Sequence, residues 1–393
     1  SACCELLAGM TALPLLGCAV ASGAASWQET LQNAVALHGS GDHSRAAEGY
    51  RQALEAHGPL RKSWPVLNNF GLVIQAEAPL EAARAFRDVI ELNPSGADGY
   101  FNLGNALSDA GQPSEAVAAF TSCLEINPAD AEAYYSLGGA YLASGGPDNA
   151  ERALVALRTS LSLEEDPKTL LSLGDAFAVT SRWDEAAAAY RQGTAMRPTH
   201  AAGRASLGNA LEEGGRYDEA EASWRAALSL APADVGTYQN LGAMLRRRDR
   251  LAESKTAYQA AVAVDPTAAE AYVGLGKCYS APRGGWSGAQ RDGAECEDEY
   301  LGYLSRTYGV ALRLQPTSAG VYNSVGEAMT MYGLLGGSAE FGGLGAKEMY
   351  AHALALTPAN TCAATHVAYQ QRRSEAAEAQ AQAQALGVEV EAA

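Results

Sequence analysis

The sequence predicts an all-α solenoid of about nine helical hairpins, and three regularities predict it. A Leu-Gly pair recurs at Leu103-Gly104, Leu137-Gly138, Leu173-Gly174, Leu207-Gly208, Leu241-Gly242 and Leu275-Gly276, continued by Val325-Gly326, with glycine spacings of 34, 36, 34, 34, 34 and 50 residues. Prolines keep the same clock at Pro94, Pro128, Pro198, Pro232, Pro266, Pro316 and Pro358. A large side chain stands eight residues before most of them: Phe86, Phe120, Tyr190, Trp224, Tyr258, Tyr308 or Tyr350. Four residues earlier comes a small one, Ala82, Ala116, Ala186, Ala220, Ser254 or Ala346, with Leu304 the exception. Leu and the aromatics fall at helical spacing on two helices, and Gly and Ala let those helices approach closely. A fixed period of this length is the mark of a repeat architecture.

Taken in order, the hairpins begin near Trp27, Trp64, Ala97, Ala131, Pro167, Ala201, Val235, Ala269 and Ala319. Proline closes each second helix and opens the next repeat. The first hairpin departs from the pattern with Ala34 in the glycine place, while Ala46, Tyr50 and Ala53 keep the second-helix spacing. After Pro358 the register fades into Thr361 to Ala385, rich in Ala, Gln and Glu. That stretch predicts a capping helix, because a solenoid's last repeat otherwise exposes an apolar face. Three regions follow: an apolar segment over 1–26, a solenoid over 27–360, and a capping helix and tail over 361–393.

The offsets of Leu-Gly, aromatic, Ala, aromatic and Pro resemble the tetratricopeptide repeat, over residues 27 to about 360. The resemblance implies a right-handed superhelix in which each first helix lines a concave channel that holds partner segments. Carried over residue by residue, the channel face comprises Asp98, Phe101, Asn102, Asn105, Tyr135, Ser136, Lys168, Ser172, Asp175, Asn209, Glu212, Gln239, Asn240 and Arg246. Asn102 and Asn240 precede Leu-Gly directly, similar to the asparagine ladder of O-linked N-acetylglucosamine transferases, although Ser136, Ser172 and Ser206 fill the equivalent sites. An amide offers donor and acceptor together, so it can hold a peptide backbone of any sequence. The carboxylate clamp of heat-shock co-chaperones is not matched. Phe101 stands where its Lys would precede Asn105, Ser136 replaces its Asn, and Ser172 rather than Arg follows Lys168.

Departures from the period localise what this chain adds to the scaffold. An excess of 16 residues lies around 281–300 in the eighth hairpin, and one of 8 around 332–345 in the ninth. The first carries Trp286 and an acidic knot of Glu295, Glu297, Asp298 and Glu299. These loops are expected to form a partner-docking edge; the alternative is tolerated insertions that cover the neighbouring repeat. Gly336, Gly337, Gly342, Gly343 and Gly345 do not make a phosphate loop, since Lys347 is followed by Glu348 rather than Ser or Thr. The run Arg246, Arg247, Arg248 and Arg250 reads as an isolated basic knob in the turn of the seventh hairpin, either solvated or touching an acidic partner.

Composition excludes several classes. At 48% hydrophobic and 19% charged the chain can bury a large core, and 28 Lys plus Arg against 45 Asp plus Glu leave a net charge of -17, the wrong sign for nucleic acid. Seven cysteines include no Cys-x-x-Cys pair, and six histidines, at 38, 43, 57, 200, 352 and 366, stand at no metal-ligand spacing. Cys123 and Cys278 read as core residues, with a Cys278–Cys296 bridge as the alternative for the latter. No nucleophile and base stand out, so the chain reads as a non-enzyme without cofactors. The rival reading is the substrate-selecting region of a glycosyltransferase-like enzyme that lacks its catalytic part.

Residues 6–25 carry no charge and belong to no repeat. Twenty helical residues span about 30 Å, the thickness of a bilayer core. The segment is expected to be a membrane-inserted or partner-buried helix; a repeat-packed cap and an uncleaved export signal are the alternatives. The chain starts with Ser rather than Met, as a processed organellar precursor does. The expectation is therefore an interaction scaffold, a subunit or assembly factor of a larger complex, membrane-associated in a plastid thylakoid or a mitochondrion, with the cytoplasm as the alternative.

Overall fold

The described part of the chain is built wholly of helices paired in order. The computed structural model describes residues 26–280, 302, 306–334, 345–357, 359 and 367. Among these, nine hairpins can be followed: Trp27–Gly39 with His43–Ala56, Trp64–Ile74 with Pro79–Leu92, Ala97–Asp109 with Pro113–Ile126, Ala131–Ser144 with Pro147–Leu163, and Pro167–Val179 with Trp183–Met196. Ala201–Glu213 with Tyr217–Leu230, Val235–Arg247 with Leu251–Val264, Ala269–Ser280 with 306–314, and Ala319–Leu334 with Ala346–Leu356 complete them. A short 3-10 turn, Gly58–Lys62, joins hairpins 1 and 2.

Helix ends follow local chemistry. Ser26 and Glu29 form a reciprocal capping box, and Asp42, Asp130 and Asp234 accept the first free N–H groups of their helices. Pro79, Pro113, Pro147 and Pro167 occupy the first turn, where a missing N–H costs nothing. In several hairpins a single residue with positive φ makes the turn between the two helices. Gly111 and Gly215 supply it at 70° and 76°, while Ser181 and Asp249 are held at 57° and 60°. The next N–H then reaches back across the turn, from Gln112 to the Leu107 carbonyl at 2.8 Å and from Arg182 to that of Phe177 at 2.9 Å.

The 34-residue clock has a steric cause. A Cβ on Gly104 would stand 2.5 Å from the ring of Phe120, and one on Gly174 2.6 Å from that of Tyr190. The same clash recurs for Gly208 with Trp224 at 2.5 Å and Gly276 with Tyr308 at 2.6 Å. Each second-helix ring therefore lies flat against the bare backbone of its own first helix, and Phe86, Phe120, Trp224, Tyr308 and Tyr350 are almost wholly buried. Two variations explain the irregularities in the sequence. In hairpin 1 the glycine has changed helix: a Cβ on Gly49 would lie 2.9 Å from that of Ala34. In hairpin 4 Leu157 takes the aromatic place against Gly138, and the second helix runs 17 residues where its neighbours run 14. Shorter connections absorb the rest of that excess, leaving the spacing of 36.

The chain divides into two compact bodies, hairpins 1–5 ending at Pro198 and hairpins 6–9 beginning at Thr199. The sequence shows no break there, because the period runs through Pro198 unchanged. Within the first body a continuous core extends from Leu31 through Phe70, Phe86 and Phe120 to Ala156. In the second, Tyr258, Leu275 and Cys278 form one cluster and Tyr308, Val325 and Met349 another. Cys123 and Cys278 are free, buried thiols, and the Cys278 sulfur lies 3.0 Å from the Ser254 hydroxyl. Residues 6–25, Trp286, the acidic knot at 295–299, Cys296, most of the second insertion and nearly all of 361–393 lie outside the described residues.

Candidate partner-binding face

First helices of successive hairpins also lie side by side. In the first body, Ala97–Asp109 touches Ala131–Ser144, which touches Pro167–Val179; in the second, Ala201–Glu213, Val235–Arg247 and Ala269–Ser280 form a similar row. These rows carry the side chains that the sequence singles out.

In the first body the Asn102 amide donates to the Asn68 carbonyl oxygen at 2.9 Å, a rung across 34 residues. Asn68 is only 8% exposed, so the rung is largely shielded from water. Next to it, Asn69 is 2% exposed and its amide nitrogen has no partner among the described residues. Asp98 and Lys168 are exposed, while Phe101, Asn105, Tyr135 and Ser136 are half-buried. The Phe101 ring packs against Phe120 at 5.9 Å between centroids. Asp175 accepts the Tyr190 hydroxyl at 2.6 Å; partial burial of its carboxyl nonetheless raises its pKa above the ordinary Asp value, the hydrogen bond opposing the shift.

In the second body Asn240 donates to Asn209 at 2.9 Å, and the Trp224 indole donates to the same oxygen at 3.0 Å. Asn209 thus orients a core tryptophan, a role the repeat pattern does not reveal. Gln239 is half-buried beside this pair. Arg246 bonds the hydroxyl of buried Tyr258, whose pKa burial pushes up to about 12.

The arginine run differs from the expected isolated knob. Arg247 pairs with Glu212, Arg248 with Asp218, and Arg250 with both Glu221 and Glu253. Arg225 links the same two glutamates at 2.8 and 3.1 Å. The hydrogen bond from Arg250 holds the Glu253 carboxyl below its usual pKa, while desolvation raises that of Glu212 against the pull of Arg247. These ion pairs join hairpins 6 and 7, and the arginine side chains in them keep part of their surface exposed.

Two cavities open on the first body. One of about 540 Å³ lies on hairpin 1, with Ala34 and Gly49 at its base and Glu29, Asn33, Arg45, Glu48 and Gln52 around it. The other, of about 360 Å³, sits between hairpins 3 and 4 and is lined by Asn105, Ser108, Phe120, Ser136, Gly139 and Ala143 among others. It includes two of the expected face residues, Asn105 and Ser136. The repeat pattern does not single out Asn68 or Gly139; the degenerate pair Phe70-Gly71, 33 residues before Gly104, carries the register to Asn69, and the residue that bonds Asn102 is its neighbour Asn68. Among the described residues no cluster of three His, Cys, Asp or Glu could hold a metal, and no helix is long and apolar enough to cross a membrane.

Three protein-family models match the chain, each described as a tetratricopeptide repeat, at residues 85–118, 107–171 and 171–235. The chain carries tetratricopeptide repeats over residues 85–235. Its helices resemble those of the C-terminal part of a tetratricopeptide repeat-containing protein from Cytophaga hutchinsonii, with 16% identity and a TM-score of 0.50, over 62% of this chain and 99% of that one. A tetratricopeptide repeat protein from Parabacteroides merdae is similar, at 15% identity and a TM-score of 0.50, over 64% and 98% of the two chains. YrrB, described as a tetratricopeptide-repeat protein with an unusual peptide-binding site, matches at 22% identity and a TM-score of 0.42, over 48% of this chain and 96% of that one. No curated protein matches the sequence. Tetratricopeptide repeats are typically non-catalytic scaffold domains, and the repeats of this chain support a protein-interaction scaffold.

Proposed function

We propose that the chain is a non-catalytic scaffold that grips an extended partner segment along its first helices and serves as a subunit or assembly factor of a larger complex. One observation carries this reading: Asn105 and Ser136 face a cavity between adjacent first helices, close to the Asn102–Asn68 rung. Amides and hydroxyls in such a row can bond a peptide backbone whatever its side chains. Isolating the full chain with its bound proteins, beside variants Asn105→Arg and Tyr135→Ala, tests it. Both variants are expected to lose a partner that the native chain retains, and unchanged recovery of every partner would refute the reading. We further propose that residues 6–25 tether the scaffold to an organellar membrane. If a chain lacking residues 1–26 stayed in the membrane fraction after a carbonate wash, that part would fail.

A further inference from the structure

The residue after each Leu-Gly pair is Asn105, Gly139, Asp175, Asn209 or Ala243 in hairpins 3 to 7. Only hairpin 4 puts glycine there. Gly139 is exposed in the middle of the helix Ala131–Ser144, where glycine costs about 1 kcal/mol relative to alanine. At its neighbour Gly138 an added Cβ would come within 2.6 Å of Leu157, so packing requires that glycine, but a Cβ on Gly139 would meet nothing within 4 Å. Packing therefore gives no reason for the second glycine. What Gly139 borders is the cavity between hairpins 3 and 4.

The three helices that line that cavity carry charge of one sign. Residues 97–144 hold Asp98, Asp109, Glu115, Glu125, Asp130 and Glu132, and no Lys, Arg or His. Glu115 is paired with Arg87, and Asp130 caps its own helix. Asp109 accepts only a neutral amide, from Gln75 at 2.7 Å, and Asp98 and Glu132 are exposed in the first turns of the two helices that flank the cavity. The lining combines apolar Phe120, Ala140 and Ala143 with the polar groups of Asn105, Ser108 and Ser136.

We propose that Gly139 opens a specificity pocket for a partner segment bearing an apolar side chain next to Lys or Arg. The missing side chain lets the partner backbone approach the helix, the apolar lining takes the side chain, and the surrounding carboxylates select the cation and repel acidic segments. At about 360 Å³ the cavity falls at the lower end of the roughly 300–1,000 Å³ of ligand pockets. The proposal rests on the reading of the first helices as the partner-binding face, and it adds the chemistry of the partner.

The test is selection of random dodecapeptides on the full chain, with affinities then measured by fluorescence anisotropy on wild type, Gly139→Ala, Gly139→Leu and Asn105→Arg. Enriched peptides are expected to pair Lys or Arg with a nearby Leu, Ile, Val, Met or Phe. They should bind Gly139→Leu about tenfold more weakly and bind less well as salt rises. Gly139→Ala, which melts at or above wild type, should show a smaller loss and so separates binding from folding. Peptides that weaken on Asn105→Arg but bind Gly139→Leu as tightly as wild type would overturn the pocket and leave the first-helix reading standing. Peptides indifferent to both changes, or no enrichment at all, would overturn both. Acidic enriched peptides would overturn the charge selection.

Discussion

Adding one methyl group at each of two adjacent residues should change stability in opposite directions. In a helix interior Gly→Ala gains about 1 kcal/mol from backbone entropy alone. At Gly139 the new Cβ meets nothing within 4 Å, so Gly139→Ala should keep that whole gain. At Gly138 the same methyl would stand 2.6 Å from Leu157 Cγ and 2.8 Å from Cδ2, about 1 Å inside ordinary carbon contact. Leu157 is fully buried and cannot yield into solvent. Overpacking of this kind costs about 1–3 kcal/mol, so Gly138→Ala should lose up to about 2 kcal/mol net. The two variants should therefore differ by about 1–3 kcal/mol. Urea unfolding of the full chain, followed by circular dichroism, measures the shift of the transition that reports the first body. Placing Leu157→Ala in the Gly138→Ala background should recover at least about 0.5 kcal/mol relative to additivity, because the methyl then enters vacated space. If Gly138→Ala proved as stable as Gly139→Ala, the account of the repeat glycine as a contact surface would be wrong.

Three further outcomes follow from named contacts. Ser181→Gly should stabilise by about 0.5–1 kcal/mol in a thermal melt, since Ser181 is held at φ 57° where the equivalent residue in hairpin 3 is glycine. Asn102→Ala should cost about 1–2 kcal/mol because it strips the partner from buried Asn68, whereas Asn240→Ala should be nearly neutral because exposed Asn209 keeps the Trp224 indole; paired urea titrations would compare them. Cys123, whose pKa burial raises to about 11 with Asp130 and Asp98 adding to it, should resist iodoacetamide at pH 8, where only about one thiol in a thousand is ionised. Labelling should follow unfolding, as mass spectrometry would show, and fast labelling of the native chain would contradict the burial.

The repeat was legible because its cause is local and periodic. A glycine facing an aromatic ring is required once per hairpin, so the requirement repeats in the sequence with the length of the hairpin. Even the irregularities obey that rule: Ala34 replaces glycine where Gly49 supplies the gap from the other helix, and Leu157 replaces an aromatic where the second helix lengthens. The candidate face was legible only in part. Register placed Asn102, Asn105 and Ser136 on the first helices, but register cannot tell a free amide from one engaged elsewhere. Asn209 holds the Trp224 indole, Asp175 the Tyr190 hydroxyl and Arg246 the Tyr258 hydroxyl, so each of these face residues is also tied to the core.

The sequence by itself determined the helical hairpin, its length and its inner contact, because each depends on residues fewer than 34 apart along one chain segment. Only the tertiary structure decided which polar side chains remain for a partner. Four arginines read as a basic knob until hairpin 6 brought Glu212, Asp218 and Glu221 against three of them, Arg247, Arg248 and Arg250, some 30 residues away in the chain. The period gives no reason for Gly139, and only the structure shows that the space beyond it is empty of protein and belongs to a cavity between hairpins 3 and 4. Charge and void are properties of how neighbouring hairpins meet, and that meeting is set by packing between repeats rather than by the period within them.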